Sequence, residues 1–195
     1  KIIWVADFRD PWSEIYYIEV LKPSQLALNK IKKYEYKTLT NADIITVTAN
    51  DLAKKFKKIS NNINIQVIEN GYEKIFFEKD VLTIAPSEFN IVHLGVLSPP
   101  RNPSNLWKAL DEIKKQNKEF SNISEIKLIG NIDGSIITEI NKNDLQEITQ
   151  ILPPVSHQES INYEMDAAIL LLIIENASSA KSIIPGKIFE YLAAG

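Results

Sequence analysis

The sequence predicts an α/β fold made of two tandem units, each with a parallel sheet and flanking helices. Three observations carry this. Short apolar or β-branched runs alternate with longer segments of helical spacing. The alternation restarts after residues 77–88, which have no clean period and read as a connection between domains. Several strand-like runs end in polar or glycine residues, where parallel sheets place their ligand-facing loops.

Residues 2–6 are a short apolar run that reads as a buried strand, followed by Asp7-Phe8-Arg9-Asp10-Pro11-Trp12. A helix lies within 25–39 and ends near Asn41, and 43–48 is a β-branched strand. Asn50 is placed to cap the next helix, in which Leu52, Phe56 and Ile59 give helical spacing. Residues 63–68 form a third strand, closed by Asn70-Gly71. In the second unit, 89–94 is a strand ended by Gly95, and 103–115 is a helix with Ser104 near its start. Residues 126–129 form a strand ended by Gly130, 136–143 a helix, and 146–152 a short strand before Pro153-Pro154. Ser160 is placed to cap a further helix, and the continuous apolar run 167–174 reads as the last strand. Two Rossmann-like units in tandem follow, and the polar clusters at the strand ends suggest a cleft between them.

The length of 195 residues suits one large or two small domains, and 45% apolar residues suffice for a sizeable core. A formal net charge of −3 gives no global attraction to nucleic acid, and the lysines and tyrosines lack an RNA-stacking motif. With no cysteine there is neither a disulfide framework nor a thiolate metal site, and two histidines exclude a His-rich one. No run approaches the roughly 18–20 apolar residues of a membrane span. The chain lacks an initiator Met, opens inside an apparent strand and stops at Gly195, which predicts a fragment of a longer protein.

The most informative stretch is 185–195, Pro185-Gly186-Lys187-Ile188-Phe189-Glu190-Tyr191-Leu192-Ala193-Ala194-Gly195. Pro185 suits a first helical turn, and Gly186 permits close approach of a ligand to the backbone. The free amides of a helix start, with the positive end of its dipole, make a phosphate site, to which Lys187 adds a full charge. Gly186 and Glu190 share one helix face; Phe189 and Leu192 share another that is expected to pack on the sheet. The plain alternative is an ordinary Pro-Gly turn with an exposed Lys and a solvated Glu.

In their order along the chain, four segments resemble the group-1, family-four glycosyltransferases of the GT-B fold. These are 7–12, 67–73 (Val-Ile-Glu-Asn-Gly-Tyr-Glu), 94–110 (from Leu94-Gly95-Val96-Leu97 through Arg101 to Ala109-Leu110) and 185–195. The form of the last resembles a subgroup common in bacterial surface-polysaccharide clusters. The resemblance implies two Rossmann-like domains, both incomplete here. Residues 1–87 would be the later part of the N-terminal, acceptor-side domain plus linker, and 88–195 a truncated C-terminal domain for a nucleotide-sugar. It implies retaining transfer of a glycosyl group to a hydroxyl, on a carbohydrate or lipid-linked acceptor. No cofactor or metal is implied, and the place is cytoplasmic, at the inner face of the membrane for a lipid-linked acceptor.

Carried onto this sequence, the resemblance assigns Glu190 to the two ribose hydroxyls, which a carboxylate can accept together. Gly95 closes the strand at the donor site. The amides of Gly186, Lys187 and Ile188 would hold the diphosphate or sugar, and Val155 would contact the base. Arg101 stands where the family usually has a Lys that stabilises the leaving diphosphate. Asp7, Arg9 and Asp10 would face the acceptor, an Asp hydrogen-bonding or deprotonating its hydroxyl and Arg9 pairing with a phosphate. The plain alternative for these three is that Asp10 caps a helix behind Pro11 while Asp7 and Arg9 form a local ion pair. There are departures from the family pattern. Val96 replaces a frequent Arg, with Lys187 offered as its substitute, and Ser182 replaces a frequent acid near the sugar, with Glu175 as the neighbouring candidate.

His157 follows a strand end and is read either as a donor neighbour or as a loop residue with a structural hydrogen bond; His93, inside an apolar strand, reads as packing. Lys30, Lys32, Lys33 and Lys37 with Tyr34 and Tyr36 suit a peripheral membrane helix or a solvated helix face. Lys54, Lys55, Lys57 and Lys58 read more simply as a solvated face. The competing functions are a non-catalytic nucleotide-sugar-binding module and a GT-B-fold epimerase, the latter expected to carry more acid/base groups.

Overall fold

The computed structural model describes residues 2–15, 18, 21–60, 63–74, 89–175 and 184–195. The domain boundary expected at 87/88, the connection 77–88 and Ser182 lie outside these. Among the described residues, contacts divide the chain into two units. One comprises 2–71 with 184–186, the other 72–175 with 187–195.

The first unit is a three-stranded parallel sheet of order β1-β2-β3, with β1 Val5–Phe8, β2 Ile44–Val47 and β3 Ile65–Val67. Its crossovers are α1, Gln25–Asn41, and α2, Asn50–Lys57. Exposed and buried positions alternate along β1, so Ala6 and Phe8 enter the core while Val5 and Asp7 do not. Phe8 stacks on Trp12 with centroids 4.8 Å apart and meets the edge of Phe56 at 5.1 Å. Phe8 and Phe56 form one apolar cluster with Leu39, Ile45, Val47 and Leu52.

Some local expectations change. The first strand lies at Val5–Phe8 and not at 2–6. Asn50 is the first residue of α2 and does not cap it: Ala49 holds the cap position without a side-chain bond. Ile59 falls beyond the helix, which buries Leu52, Ala53 and Phe56 instead. At the start of α1, the Ser24 hydroxyl accepts from the Ala27 amide at 3.3 Å.

The second unit is a four-stranded parallel sheet of order β6-β5-β4-β7. Its strands are β4 Phe89–Leu94, β5 Ser124–Ile129, β6 Thr149–Leu152 and β7 Ile169–Leu170. The helices are α3 Ser104–Gln116, α4 Lys118–Ile123, α5 Gly134–Lys142, α6 His157–Met165 and α7 Lys187–Ala194. Alternate residues of β4 serve opposite faces. Ile91 packs with Trp107, Leu110, Ile136 and Ile140 from α3 and α5, whereas Val92 and Leu94 pack with Ile129 and Tyr191 of α7. The chain steps outward from β4 to β6 and then places β7 on the other side of β4. This reversal puts a topological switch point at the carboxyl ends of β4 and β7, where such sheets bind ligands.

Here too the sequence reading is corrected in places. Ser104 opens α3 as a helical residue, with Pro103 before it and no side-chain cap. The helix expected to start at Ser160 starts at His157. Ser156 is its cap, and Ser156 and Glu159 satisfy each other's backbone amides in a capping box. Residues 167–174 pair as a strand only at Ile169–Leu170. Backbone bonds from Ala168 to Asn90 (2.9 Å) and from Leu171 to Val92 (2.8 Å) extend that pairing. Beyond it, Leu171 and Ile173 pack on one face and Leu172 on the other. Pro185 precedes α7, which starts at Lys187. The buried residue of α7 is Tyr191, not the expected Leu192, which is 75% exposed.

Candidate functional site

At the carboxyl end of the second sheet two glycines touch. Gly95 ends β4 at φ +119° and Gly130 ends β5 at φ +132°, a region costly for any other residue. The Gly95 amide donates to Ile129 O at 2.8 Å, and the Gly130 amide to Leu152 O at 3.0 Å. A Cβ added to Gly130 would stand 2.2 Å from Gly95 O, so the approach of these strand ends requires glycine there. At Gly95 a Cβ would stand 3.5 Å from Lys187 Cε and 3.8 Å from its Nζ. The Lys187 side chain thus lies over the end of β4.

A cavity of about 180 Å³ opens at this point. Gly95, Gly130, Pro154, Val155, Ser160 and Lys187 line it, with Leu94 and Ile129 beneath. Three expected donor residues, Gly95, Val155 and Lys187, are therefore brought together. Lys187 is also the first residue of α7, whose first amides lack intrahelical partners. Gly186 stands just before it, exposed, with no described residue within 4 Å of an added Cβ. Ile188 and Glu190 follow in the first turn, both half-buried.

Charge around Lys187 is unusual. Burial pushes its ammonium below the ordinary lysine range, while Glu164 and then Glu190 oppose that shift. Glu164, on α6, is buried and neither of its oxygens has a hydrogen-bond partner in the described structure. Burial first, and the neighbouring Glu190 charge second, push its carboxyl up to about 7. The sequence reading missed Glu164. A signal was present: Glu164 is three residues after Ile161 and so on the face that α6 buries.

Arg101 ends a 3-10 turn, Pro99–Arg101, and its Nε donates to the Glu175 carboxylate, which is buried. The structure thus joins two residues that the sequence treated separately, and part of the Arg101 charge is neutralised within the fold. Val96 is exposed, between Gly95 and a wider hollow of about 350 Å³ shared with Ser98 and Asp133. His93 is buried and its Nδ1 lies 3.1 Å from Leu171 O; burial holds the ring below the ordinary histidine range. His157 is the first residue of α6.

In the first unit, Asp7 and Arg9 each bond elsewhere rather than to one another. Asp7 Oδ1 accepts from the Thr46 hydroxyl at 2.5 Å, and an Arg9 guanidinium NH2 donates to Asn70 Oδ1 at 2.6 Å. The Asn70 amide in turn donates to Ile184 O at 3.3 Å. Burial pushes the Asp10 carboxyl up against the opposing Arg9 charge. The residues after Pro11 form a turn and not a helix, so no helix for Asp10 to cap follows in 11–15.

No family model matches the sequence, and no curated protein matches it. Solved structures do. Sucrose-phosphate synthase from Thermosynechococcus elongatus aligns over 100% of this chain and 49% of its own, with 15% identity and a TM-score of 0.72. A variant of S. aureus TarM in complex with Fondaparinux, alpha-GlcNAc-glycerol and UDP aligns over 97% of this chain and 35% of its own, at 12% identity and TM-score 0.65. WaaG, a glycosyltransferase involved in lipopolysaccharide biosynthesis, aligns over 97% and 54%, at 12% identity and TM-score 0.61. The chain spans about half the length of these structures or less. The pair of parallel sheets described above is accordingly the fold of the GT-B glycosyltransferases.

Proposed function

We propose that this chain is part of a retaining glycosyltransferase that moves a sugar from a nucleotide-sugar to a hydroxyl acceptor. The observation that carries the reading is Lys187, at the amino end of α7, lying over Gly95 at the switch point of the second sheet. There a diphosphate meets an ammonium, unpaired helix amides and a backbone stripped of Cβ atoms. The base would rest by Val155 at the cavity, and Glu190 would accept from the ribose hydroxyls. The first amides of α7, with Gly186 and Ile188, would hold the phosphates. As the glycosidic bond breaks, negative charge grows on the leaving diphosphate. Groups already fixed around it stabilise that added charge more than the smaller charge of the intact donor, which lowers the barrier. Arg101, poised by Glu175, would supply a second cation.

The acceptor would meet Asp7, Arg9 and Asp10. An acceptor hydroxyl must lose its proton as it attacks, and Asp10, whose carboxyl is pushed up by burial, would take it. WaaG's role in lipopolysaccharide biosynthesis supports a bacterial surface polysaccharide or glycoconjugate as the product class. No described helix is long and apolar enough to cross a membrane. A lipid-linked acceptor would instead be met at the membrane surface by α1, which buries only Glu35 and Leu39 and exposes Tyr34 and Tyr36.

The test is a thermal-shift screen of nucleotide-sugars, followed by assay of sugar release with the full-length protein. A ligand that raises the melting point and is turned over supports the reading. Binding without turnover would make the chain a nucleotide-sugar-binding module, and no binding by any nucleotide-sugar would sink the donor site.

A further inference from the structure

Beside Lys187 lies a carboxylate that the donor reading leaves unused. Glu164 is 2% exposed and both its oxygens lack partners among the described residues. A buried ion without a partner is costly, so a group of this kind needs either a proton or a mobile counter-charge. One turn earlier on the same face of α6, Ser160 lines the cavity under Lys187. Glu164 therefore lies one turn along that face from the cavity lining, on the helix that packs on α7.

The charged groups facing Glu164 come from α7. Lys187 favours its ionised form and Glu190 disfavours it. Conversely, Glu164 contributes more than Glu190 to keeping Lys187 an ammonium. Tyr191, buried on the same side, is pushed up to about 12 by burial first and then by Glu164. From β4, Val92 and Leu94 face this side and Asn90 donates to Asp166 at the end of α6 at 3.3 Å. His93, the alternate residue of β4, is also within reach of the Lys187 charge, which with that of Arg101 disfavours its protonation.

We propose that Glu164 is the positioning residue of Lys187, and that the carboxylate and the donor's diphosphate compete for one ammonium, so that anion binding is coupled to proton uptake by Glu164. The identity of the anion rests on the donor reading above; the pairing of Glu164 with Lys187 does not. With the cavity empty, the ionised carboxylate attracts the ammonium across the end of β4. When a diphosphate takes the ammonium, Glu164 loses its counter-charge, and burial with the Glu190 charge favours its neutral form. One proton then passes from solvent to a Glu164 oxygen, and no other bond changes. Because the bound state holds the extra proton, anion affinity falls as pH rises through the Glu164 titration, which lies near 7.

Two measurements on the whole chain decide this. With ¹³C-labelled lysine, the Lys187 Cε signal is followed from about pH 5 to about pH 9. An inflection near 7 in the wild type that Glu164→Gln removes and His93→Asn leaves in place is expected; a Lys187 profile without that inflection, or one that loses it in His93→Asn, overturns the pairing, and the wild type with His93→Asn decides it if Glu164→Gln does not fold. UDP-glucose, whose diphosphate diester keeps a constant charge over this range, is then titrated by calorimetry in buffers of different ionisation enthalpy. Proton uptake, with affinity weakening about threefold to tenfold from about pH 6 to about pH 8 in the wild type and flat in Glu164→Gln, is expected. UDP-glucose binding without proton uptake overturns the coupling. Absence of binding by UDP-glucose and by every other nucleotide-sugar of the screen, with the Lys187 inflection intact, upholds the pairing and removes the donor reading instead.

Discussion

The carboxyl ends of the two sheets carry similar residue types in opposite states. Toward the carboxyl end of the first sheet, polar side chains satisfy one another. Asp7 holds Thr46, Arg9 holds Asn70, and the Glu35 carboxylate accepts from both the Ser13 amide, at 3.2 Å, and the Ser13 hydroxyl. Beyond the second sheet, two glycines clear the backbone, Lys187 lies over Gly95, and Glu164 is buried with neither oxygen bonded among the described residues. Groups that bond within the fold contribute to stability first. Groups held apart at an energetic cost mark where a ligand or a proton completes the set.

Four substitutions test this contrast. The largest effect is expected for Gly130→Ala, because a Cβ would overlap Gly95 O and the backbone is already at positive φ. Chemical denaturation should show a loss of about 3 kcal/mol or more. Wild-type stability would mean that the two strand ends do not touch as described.

Glu164→Gln comes next, and its effect depends on pH. A carboxyl raised from 4.5 to about 7 on folding favours the folded state only while protonated. That contribution is whole below about 4.5 and disappears as pH rises through about 7. The difference corresponds to about 3 kcal/mol. The neutral glutamine avoids the loss, so the variant should gain on the wild type between pH 5 and pH 8 by up to about that amount. Parallel melting curves at the two pH values would contradict a buried, titrating carboxylate.

Lys187→Ala should weaken nucleotide binding by about tenfold to a hundredfold, the worth of a charge-assisted bond of about 1.5–3 kcal/mol. Calorimetry with UDP checks it, and unchanged affinity would make Lys187 a mere cover over Gly95. The smallest effect is expected for Asp7→Ala. It removes one partly exposed bond to Thr46 and should cost about 1 kcal/mol of stability while leaving nucleotide affinity unchanged. A loss of transfer far greater than the loss of stability would move Asp7 from the bonded set to the acceptor machinery.

Where local patterns act alone, the sequence was a good guide. Phe89–Leu94 is a strand at the expected boundaries, and the helix anticipated within 25–39 runs over Gln25–Asn41. Capping was less legible. Asn50, Ser104 and Ser160 are all good cap residues by type, yet each sits inside its helix. For α6 the Ser156–Glu159 pair was the stronger signal, because it satisfies two amides where a lone Ser160 satisfies one. In 167–174, an unbroken apolar run could not say how many residues pair, because packing on both faces needs the same residues as pairing does.

By itself the sequence determined the alternation of strands and helices, the positions of Gly95 and Gly130 at strand ends, and the cluster that opens α7. These depend on periodicity and backbone sterics, which act between near neighbours. Only the tertiary structure decided that Lys187 reaches over Gly95, that Arg101 is tied to Glu175 across 74 positions, and that Glu164 is shut away from solvent. Strand order and helix packing set those outcomes, because the energy of a charge depends on which distant groups and how much water the fold leaves around it.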